Sequence, residues 1–372
     1  MAQGPSDSLE NWRGKARRFA AQAVHPRLDE MYREGRIHPE IISALARDGF
    51  MGLGLPAEWG GQGGGTREVA AVLEELAAES ASVATLLSVH LSVCAQPIAQ
   101  WGTEPQRTEF LADLCAGRTL GAFGLTEPGV GSDTARLTCR YRRDGDSWIL
   151  QGSKMFITNG SLADTLVVFA SRDPSEGSRG ISAFIVTKGT PGFSAPQKLE
   201  KLGLRDSETT ELLFMDAHLG RDRLLGPEGK GLSVALGALA GGRIGIAAVA
   251  LGVARAAFEE TQRIAQAEPT DARRTAVAQS FTDVLAARAL IERAAEVKDA
   301  GLPFAEDASA AKLFASQAAF RVASRCVDVA GMSGSLDGGR PGRLWRDARV
   351  FPIVEGTTEI QELILGRTLV GQ

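Results

Sequence analysis

The sequence is poor in the residues that form disulfides and metal sites. Its 372 residues include only four cysteines and four histidines. Cys94, Cys115, Cys139 and Cys326 lie far apart and form no CxxC pair, which argues against a disulfide framework or a zinc cluster and predicts a reducing, cytoplasmic setting. The histidines show no metal-ligand spacing. We therefore predict no metal site.

The sequence also lacks an excess of charge and a basic run. Its net charge is -4, so nucleic acid is not an expected partner. Charged residues between Glu10 and Arg18 interrupt any apolar leader, and no secretory signal is predicted. Residues 80–103 carry no Asp, Glu, Lys or Arg and are long enough to cross a bilayer. Because this stretch contains several Ser and Gln, a His and a Pro, we predict a buried helix and no membrane span.

The apolar pattern divides the chain into three blocks. Residues 1–118 have helical spacing, and Thr66 is predicted to cap one of these helices after a glycine-rich turn. In residues 119–225 the pattern changes to short alternating segments, which are typical of antiparallel strands. Residues 226–372 return to long, alanine-rich helical stretches. We predict an α+β fold with an N-terminal helical domain, a middle small β-barrel or sandwich and a C-terminal four-helix bundle.

A run of glycines and hydroxyl residues stands at the entrance to the strand block. It reads Gly-Leu-Thr-Glu-Pro-Gly-Val-Gly-Ser-Asp over residues 124–133. Such a run lets backbone N–H groups and hydroxyls converge on an anionic or carbonyl-rich ligand. No strand-to-helix unit of the Rossmann type surrounds it. On its own, the run fits a structural turn as well as a ligand loop.

This run resembles the first signature of the acyl-CoA dehydrogenase family, and further stretches match that family in the same order. They are Met-Phe-Ile-Thr-Asn-Gly at 155–160, Lys-Leu-Gly-Leu-Arg at 201–205, Gly-Arg-Ile-Gly-Ile-Ala at 242–247, Arg-Asp-Ala-Arg at 346–349 and Val-Glu-Gly-Thr at 354–357. The matches span nearly the whole chain. The resemblance implies the family's three-domain fold and its FAD cofactor.

By resemblance, Glu355 is the catalytic base, which removes a proton next to a thioester carbonyl while FAD takes a hydride at N5. The apolar Phe-Pro-Ile-Val before it is expected to raise its pKa. Some family members place the base just before the helix arginine, but that position is Gly242 here. The implied substrate contacts are Ser132, Arg243, Gly356 and Arg367. The implied FAD contacts are Phe123, Leu125, Thr126, Gly131, Ser132, Phe156, Ile157, Thr158, Arg263, Asp328, Gly331, Thr357 and Glu359.

Three segments depart from the family pattern. Arg263 lacks the usual following Phe-Gly, Asp328 replaces a glutamine in the segment that contains Gly331, and Gly338-Gly339-Arg340 replaces a typical Glu-Tyr-Pro. The resemblance implies a homodimer or homotetramer in which the first two segments contact FAD in a neighbouring subunit. Their changes are therefore expected to affect FAD affinity and the geometry of the oligomer.

The sequence does not decide whether the acyl group is carried by CoA or by a carrier protein, which electron acceptor is used, or whether the protein is catalytic. An acyl-carrier-protein dehydrogenase would share the chemistry, and a non-catalytic relative could act as a binding subunit. The expected electron acceptor is an electron-transfer flavoprotein or another protein. The small residues around Gly242 hint at a short or branched acyl chain.

Overall fold

A computed structural model describes residues 5–196, 198–336 and 338–371. Helices occupy both ends of the chain and strands occupy its middle, as predicted. The first seven helices are α1 Pro5–Phe19, α2 Leu28–Glu34, α3 Pro39–Arg47, α4 Thr66–Glu79, α5 Ala81–Ser88, α6 Gln96–Trp101 and α7 Glu104–Cys115. The last six are α8 Gly231–Ala267, α9 Asp271–Asp299, α10 Ala305–Ala330, α11 Met332–Ser335, α12 Arg340–Ala348 and α13 Thr358–Val370.

The predicted cap at Thr66 is wrong by one residue. Gly65 is the N-cap, and Thr66 is the first helical residue of α4. Because glycine has no side-chain acceptor, the free N–H groups are capped from elsewhere: the Asp299 carboxylate accepts from Thr66 N at 2.7 Å and Arg67 N at 3.2 Å. A residue at the end of α9 thus completes a helix of the N-terminal domain.

The uncharged stretch is a buried helical column, as predicted. A π-helical segment, Val89–Ala95, joins α5 to α6. Within the part of the chain that the structure describes, two helical columns have the length and apolarity of a membrane span, Ala81–Trp101 and Gly231–Ala267. Of their most apolar windows, 89% and 72% are buried inside the protein. Both are core helices that pack on each other. The four cysteines are free and buried.

Two buried carboxylates join the N-terminal and C-terminal helices. Glu74 and Glu75 on α4 are almost fully buried and contact Arg13 of α1, Arg255 of α8 and Arg288 of α9. The Arg255 guanidinium lies 3.1 Å from Glu74 and 2.9 Å from Glu75. Since a buried charge is stable only when it is paired, this cluster fixes how the four helices pack.

The middle block is one mixed eight-stranded sheet. Its strands are β1 Gly121–Gly124, β2 Arg140–Asp144, β3 Ser147–Thr158, β4 Thr165–Ser171, β5 Ile181–Thr187, β6 Phe193–Ser194, β7 Thr209–Leu219 and β8 Leu224–Leu225. The strand order is β6-β7-β3-β2-β4-β5-β8, with β1 beside β4. A single residue pair, Arg140 with Ser171, joins β2 to β4. This pair divides the sheet into two halves, one with β2, β3, β6 and β7 and the other with β1, β4, β5 and β8. The ring centroids of Tyr141 and Trp148 in the first half and of Phe184 in the second lie 5.0–5.7 Å apart. The two halves therefore enclose one sandwich-like core.

Candidate active site

The glycine-rich run is held in place by a buried ion pair. The Lys154 ammonium on β3 lies 2.7 Å from the Glu127 carboxylate and donates to Leu125 O at 3.1 Å. Glu127 also accepts from Thr138 N at 2.6 Å and Cys139 N at 2.9 Å. Burial opposes ionisation of Glu127, but Lys154 and these donors outweigh it and hold its pKa below the usual value. Every oxygen of the carboxylate is paired, so this glutamate has a structural role.

A bulge in β3 turns an aromatic ring away from the sheet. The register of β3 against β7 shifts between Lys154 and Ile157. Phe156 lies in the bulge with φ +62°, and 66% of the residue is exposed. Ile157 is buried in the core beside it. Two glycines of the glycine-rich run, Gly129 and Gly131, have open space where a side chain would stand. An exposed aromatic face beside an uncrowded glycine loop fits a flat ring bearing a phosphate group.

A small apolar cluster connects this strand region to the C-terminal helices. Phe123 on β1 packs against Val89 and Val93 of the π-helical segment and Ala238 of α8. The π-helix is unusual in long helical columns and is often found at functional sites. The cluster places the glycine-rich region next to the start of α8.

Glu355 lies in a tight turn between α12 and α13. Its φ is +53°, and Gly356 follows with φ +96°. Thr357 then caps α13, because its hydroxyl accepts from Ile360 N at 3.4 Å. A left-handed conformation is uncommon for glutamate and is found mainly where the surrounding structure enforces it.

The Glu355 carboxylate points at α8. A Cβ added at Gly242 would overlap Glu355 Oε2 and would lie 3.1 Å from Val93. Among the described residues, that buried oxygen has no hydrogen-bond partner. Burial raises the pKa of Glu355 to about 7, although Lys312 and Arg243 act in the opposite direction. A carboxylate with these properties can accept a proton near neutral pH.

Two cations from neighbouring helices surround this turn. Lys312 on α10 is fully buried and donates to Gly356 O at 2.6 Å. Arg243 on α8 is also buried and donates to Ser309 Oγ at 3.4 Å. Burial lowers the pKa of both, to about 8 for Lys312. The Glu355 carboxylate, an apolar wall and two cations thus converge at one place.

Family sequence models cover almost all of the chain in three consecutive parts. The acyl-CoA dehydrogenase N-terminal domain matches residues 6–118, the middle domain 122–217 and the C-terminal domain 229–370. The chain belongs to the acyl-CoA dehydrogenase family. It is therefore an oxidoreductase and a flavoprotein, and the predicted fold of this family is confirmed.

Similar proteins of this family match over nearly their full length. The short-chain specific acyl-CoA dehydrogenase of Clostridium acetobutylicum is 39% identical over 95% of both chains. The butyryl-CoA dehydrogenase structure from Megasphaera elsdenii has a TM-score of 0.96, with 37% identity and full coverage of both chains. A structure described as the electron transferring flavoprotein of Acidaminococcus fermentans gives 0.97, with 36% identity and full coverage of both chains. A glutaryl-CoA dehydrogenase from Mycobacterium smegmatis, solved with FADH2, gives 0.89 with 31% identity, and the match covers 98% of this chain and 94% of that one.

The structure distributes the predicted acyl-CoA dehydrogenase residues over two surfaces. Phe123, Leu125, Thr126, Phe156 and Thr158 belong to the β1–β3 region, and Ser132 is exposed on the glycine loop there. Leu125 and Ile157 are buried, so they would reach a flavin through their backbone. Arg243 and Gly356 lie beside Glu355, whereas Glu359 and Arg367 are exposed on α13.

The residues in the altered family segments lie far from Glu355 along their helices. Arg263 is 21 positions beyond Gly242 on α8, which is about 30 Å at the rise of an α-helix. Its side chain is exposed and pairs with Glu260 at 2.6 Å. Asp328 and Gly331 are exposed at the end of α10. Arg263 therefore does not reach the Glu355 of its own chain.

Sequence reasoning missed Lys312. The residue stands on the face of α10 that also carries Ala308, Ala311 and Ala315, all fully buried. A lysine at helical spacing with buried alanines is unusual, and that pattern was the available signal.

Proposed function

We propose that the protein catalyses the FAD-dependent α,β-dehydrogenation of a short-chain acyl-CoA, with Glu355 as the base. The observation that carries this proposal is the position of the Glu355 carboxylate, which is buried against Gly242 and Val93 with one oxygen unpartnered. A carboxylate in such surroundings is free to take a substrate proton. The similarity to a short-chain specific enzyme and to a butyryl-CoA dehydrogenase supports the acyl length.

The proposed reaction requires a base and hydrogen-bond donors next to the thioester. Removing the α-proton of a thioester places negative charge on its carbonyl oxygen, and donors must stabilise that charge. We assign the proton to Glu355 and one donor to its backbone N–H. The bound flavin supplies the acceptor for the hydride that leaves the β-carbon. Lys312 and Arg243 place positive charge near the base and favour its ionised form.

FAD is the proposed form of the flavin. Phe156 would offer its exposed ring to the flavin, while Gly131 and the hydroxyls of Thr126, Ser132 and Thr158 would contact the remainder. Thr357 and Glu359 would approach from α13. As the family resemblance implies, Arg263, Asp328 and Gly331 would serve the flavin of a neighbouring subunit: all three are exposed, and Arg263 lies about 30 Å along α8 from Gly242.

The other assignments follow from the family and the relatives. We propose domain limits of 1–118, 119–225 and 226–372, a cytoplasmic location and a homodimer or homotetramer. Ser132, Arg243, Gly356 and Arg367 remain the proposed substrate contacts. An electron-transfer flavoprotein is the proposed acceptor, since a chain of nearly identical fold occurs in a structure of that name.

Replacing Glu355 with Gln tests the base assignment. We expect Glu355→Gln to retain its yellow flavin and to lower the rate of anaerobic flavin bleaching by butyryl-CoA by about 10²–10⁴-fold, the usual contribution of a general base. Stopped-flow absorbance would measure the rate, and the flavin spectrum would report cofactor content. Undiminished bleaching in the variant would refute the role of Glu355.

A panel of thioesters separates the alternatives. Butyryl-CoA should bleach the flavin faster than a long-chain acyl-CoA or butyryl-acyl-carrier protein. Preference for the carrier-protein thioester would identify the biosynthetic alternative. A colourless protein that no added FAD restores would identify a non-catalytic binding subunit.

A further inference from the structure

Lys312 is a buried cation without a hydrogen-bonded carboxylate partner among the described residues. None of its surface is exposed, and its hydrogen bond goes to the carbonyl oxygen of Gly356 at 2.6 Å. Burying an ammonium costs free energy unless nearby charges and hydrogen bonds compensate. The compensation available here is a backbone carbonyl and the charges of Glu355 and, to a smaller extent, Glu359.

The carbonyl that Lys312 contacts belongs to the turn that presents Glu355. Gln361 Nε2 donates to the same Gly356 oxygen at 3.0 Å. Both Glu355 and Gly356 have positive φ, a conformation that persists only when the surroundings hold it. Two donors, one charged and one neutral, thus fix one carbonyl of a turn that the backbone alone disfavours.

The charges around Glu355 come from three helices. Arg243 approaches from α8 and Lys312 from α10, and both favour the ionised carboxylate. Glu359 on α13 is close enough to favour the charged form of Lys312. Lys312 therefore acts on Glu355 both through the backbone and through its charge.

We propose that Lys312 is a positioning residue that holds the Glu355 turn through the Gly356 carbonyl and that its ammonium charge acts on the Glu355 carboxylate. This inference rests on the proposed function of Glu355. Lys312 need not touch the substrate, because the carbonyl of Gly356 transmits its effect on geometry and its charge acts through space.

The two donors to Gly356 O provide a matched set of variants. Lys312→Met removes the charge and the hydrogen bond, Lys312→Arg keeps the charge, and Gln361→Met removes only the neutral donor. The measurement is the anaerobic rate of flavin reduction by saturating butyryl-CoA between about pH 5.5 and 9, together with the dissociation constant of butyryl-CoA.

We expect Lys312→Met to lower the limiting rate of flavin reduction at least tenfold. The acidic limb of the plot of this rate against pH should move upward by about one pH unit, since losing a nearby opposite charge raises a carboxyl pKa. The dissociation constant should change less than about twofold. Lys312→Arg should return the limb toward its original position. Gln361→Met should lower the rate without moving the limb.

An unchanged limb in Lys312→Met, or equal profiles for Lys312→Met and Gln361→Met, would overturn the proposal. If Lys312→Met does not fold, Lys312→Gln, which keeps a neutral donor, provides the same comparison. Failure of the base assignment is recognised separately: Glu355→Gln would then still bleach at the wild-type rate. An inactive Glu355→Gln beside unshifted Lys312 variants would reject only the role of Lys312.

Discussion

Glu127 in the middle sheet domain and Glu355 in the C-terminal domain each lie near a completely buried lysine. Glu127 meets Lys154 directly at 2.7 Å and accepts further hydrogen bonds from Thr138 and Cys139. Glu355, by contrast, has one carboxylate oxygen, Oε2, without a hydrogen-bond partner among the described residues. The pKa of Glu127 is held below its usual value, while that of Glu355 is raised to about 7.

The difference separates a structural carboxylate from one available for chemistry. In a fully paired carboxylate both oxygens accept hydrogen bonds from neighbours, so the group is protonated only in acid. A buried carboxylate with a free oxygen stays close to its protonation equilibrium at neutral pH. The lysine beside each glutamate is equally buried, so the hydrogen bonding of the carboxylate decides its role.

The largest effect is expected when the structural pair is broken. Glu127→Gln would leave the Lys154 ammonium buried without its counter-ion, which typically costs about 3–5 kcal/mol. We expect a loss of that size in the free energy of unfolding at pH 7, measured by urea denaturation with tryptophan fluorescence. The loss should shrink in acid, because the lowered pKa gives Glu127 a stabilising charge above its unfolded pKa that disappears as pH falls through the folded value.

The double replacement Glu127→Leu with Lys154→Met is the control for that prediction. It removes both charges, so it should destabilise less than Glu127→Gln alone. Equal or greater destabilisation in the double variant would mean that packing, and not the unpaired ammonium, dominates at this position.

Glu355→Gln should show the opposite dependence on pH. The folded pKa of about 7 exceeds the usual glutamate pKa of 4.5, so ionisation of Glu355 destabilises the fold as pH rises from about 4.5 to 7. The variant lacks this penalty. We expect its free energy of unfolding to match wild type near pH 4.5 and to exceed it by up to about 3 kcal/mol at pH 8. A variant that is less stable than wild type at pH 8 would contradict the unpaired state of Glu355.

The order of helical, strand and helical blocks could be predicted because it follows from local apolar patterns, and the family resemblance pointed to Glu355, whose catalytic role stays a prediction. Long helices such as α8 and α10 follow from apolar periodicity, and the Val-Glu-Gly-Thr run around Glu355 is contiguous. The cap of α4 was misplaced because its acceptor, Asp299, stands 233 positions away from Thr66. Local rules favour a side-chain cap, and a distant carboxylate took that role instead.

Features that depend on strain or on distant contacts could not be predicted. Phe156 and Glu355 adopt positive φ although neither residue favours it, and only the bulge in β3 and the turn before α13 explain why. Lys312 lies 44 positions from Gly356 and meets it only after α10 has packed. Its one signal in the sequence was a lysine among buried alanines.

The smallest effect is expected when a methyl group is added where the Glu355 carboxylate lies against α8. Two glycines of α8 provide a matched pair of variants for this test. A Cβ at Gly242 would overlap Glu355 Oε2, whereas a Cβ at Gly237 would meet nothing within 4 Å. Both replacements by Ala add the same helix propensity, worth up to about 1 kcal/mol, so their difference reports the contacts of the added methyl group, of which the overlap with Glu355 Oε2 is the tightest. We expect Gly242→Ala to displace Glu355 and to lower the rate of flavin reduction by butyryl-CoA about tenfold or more, since small misplacements of catalytic groups are costly.

Gly237→Ala is the control, and its flavin should be reduced by butyryl-CoA at the wild-type rate. Both should retain bound flavin, because neither glycine lies in the β1–β3 region. Equal rates for the two variants would show that the carboxylate has another position from which it works as well, and the contrast with the fixed Glu127 would then lose its basis.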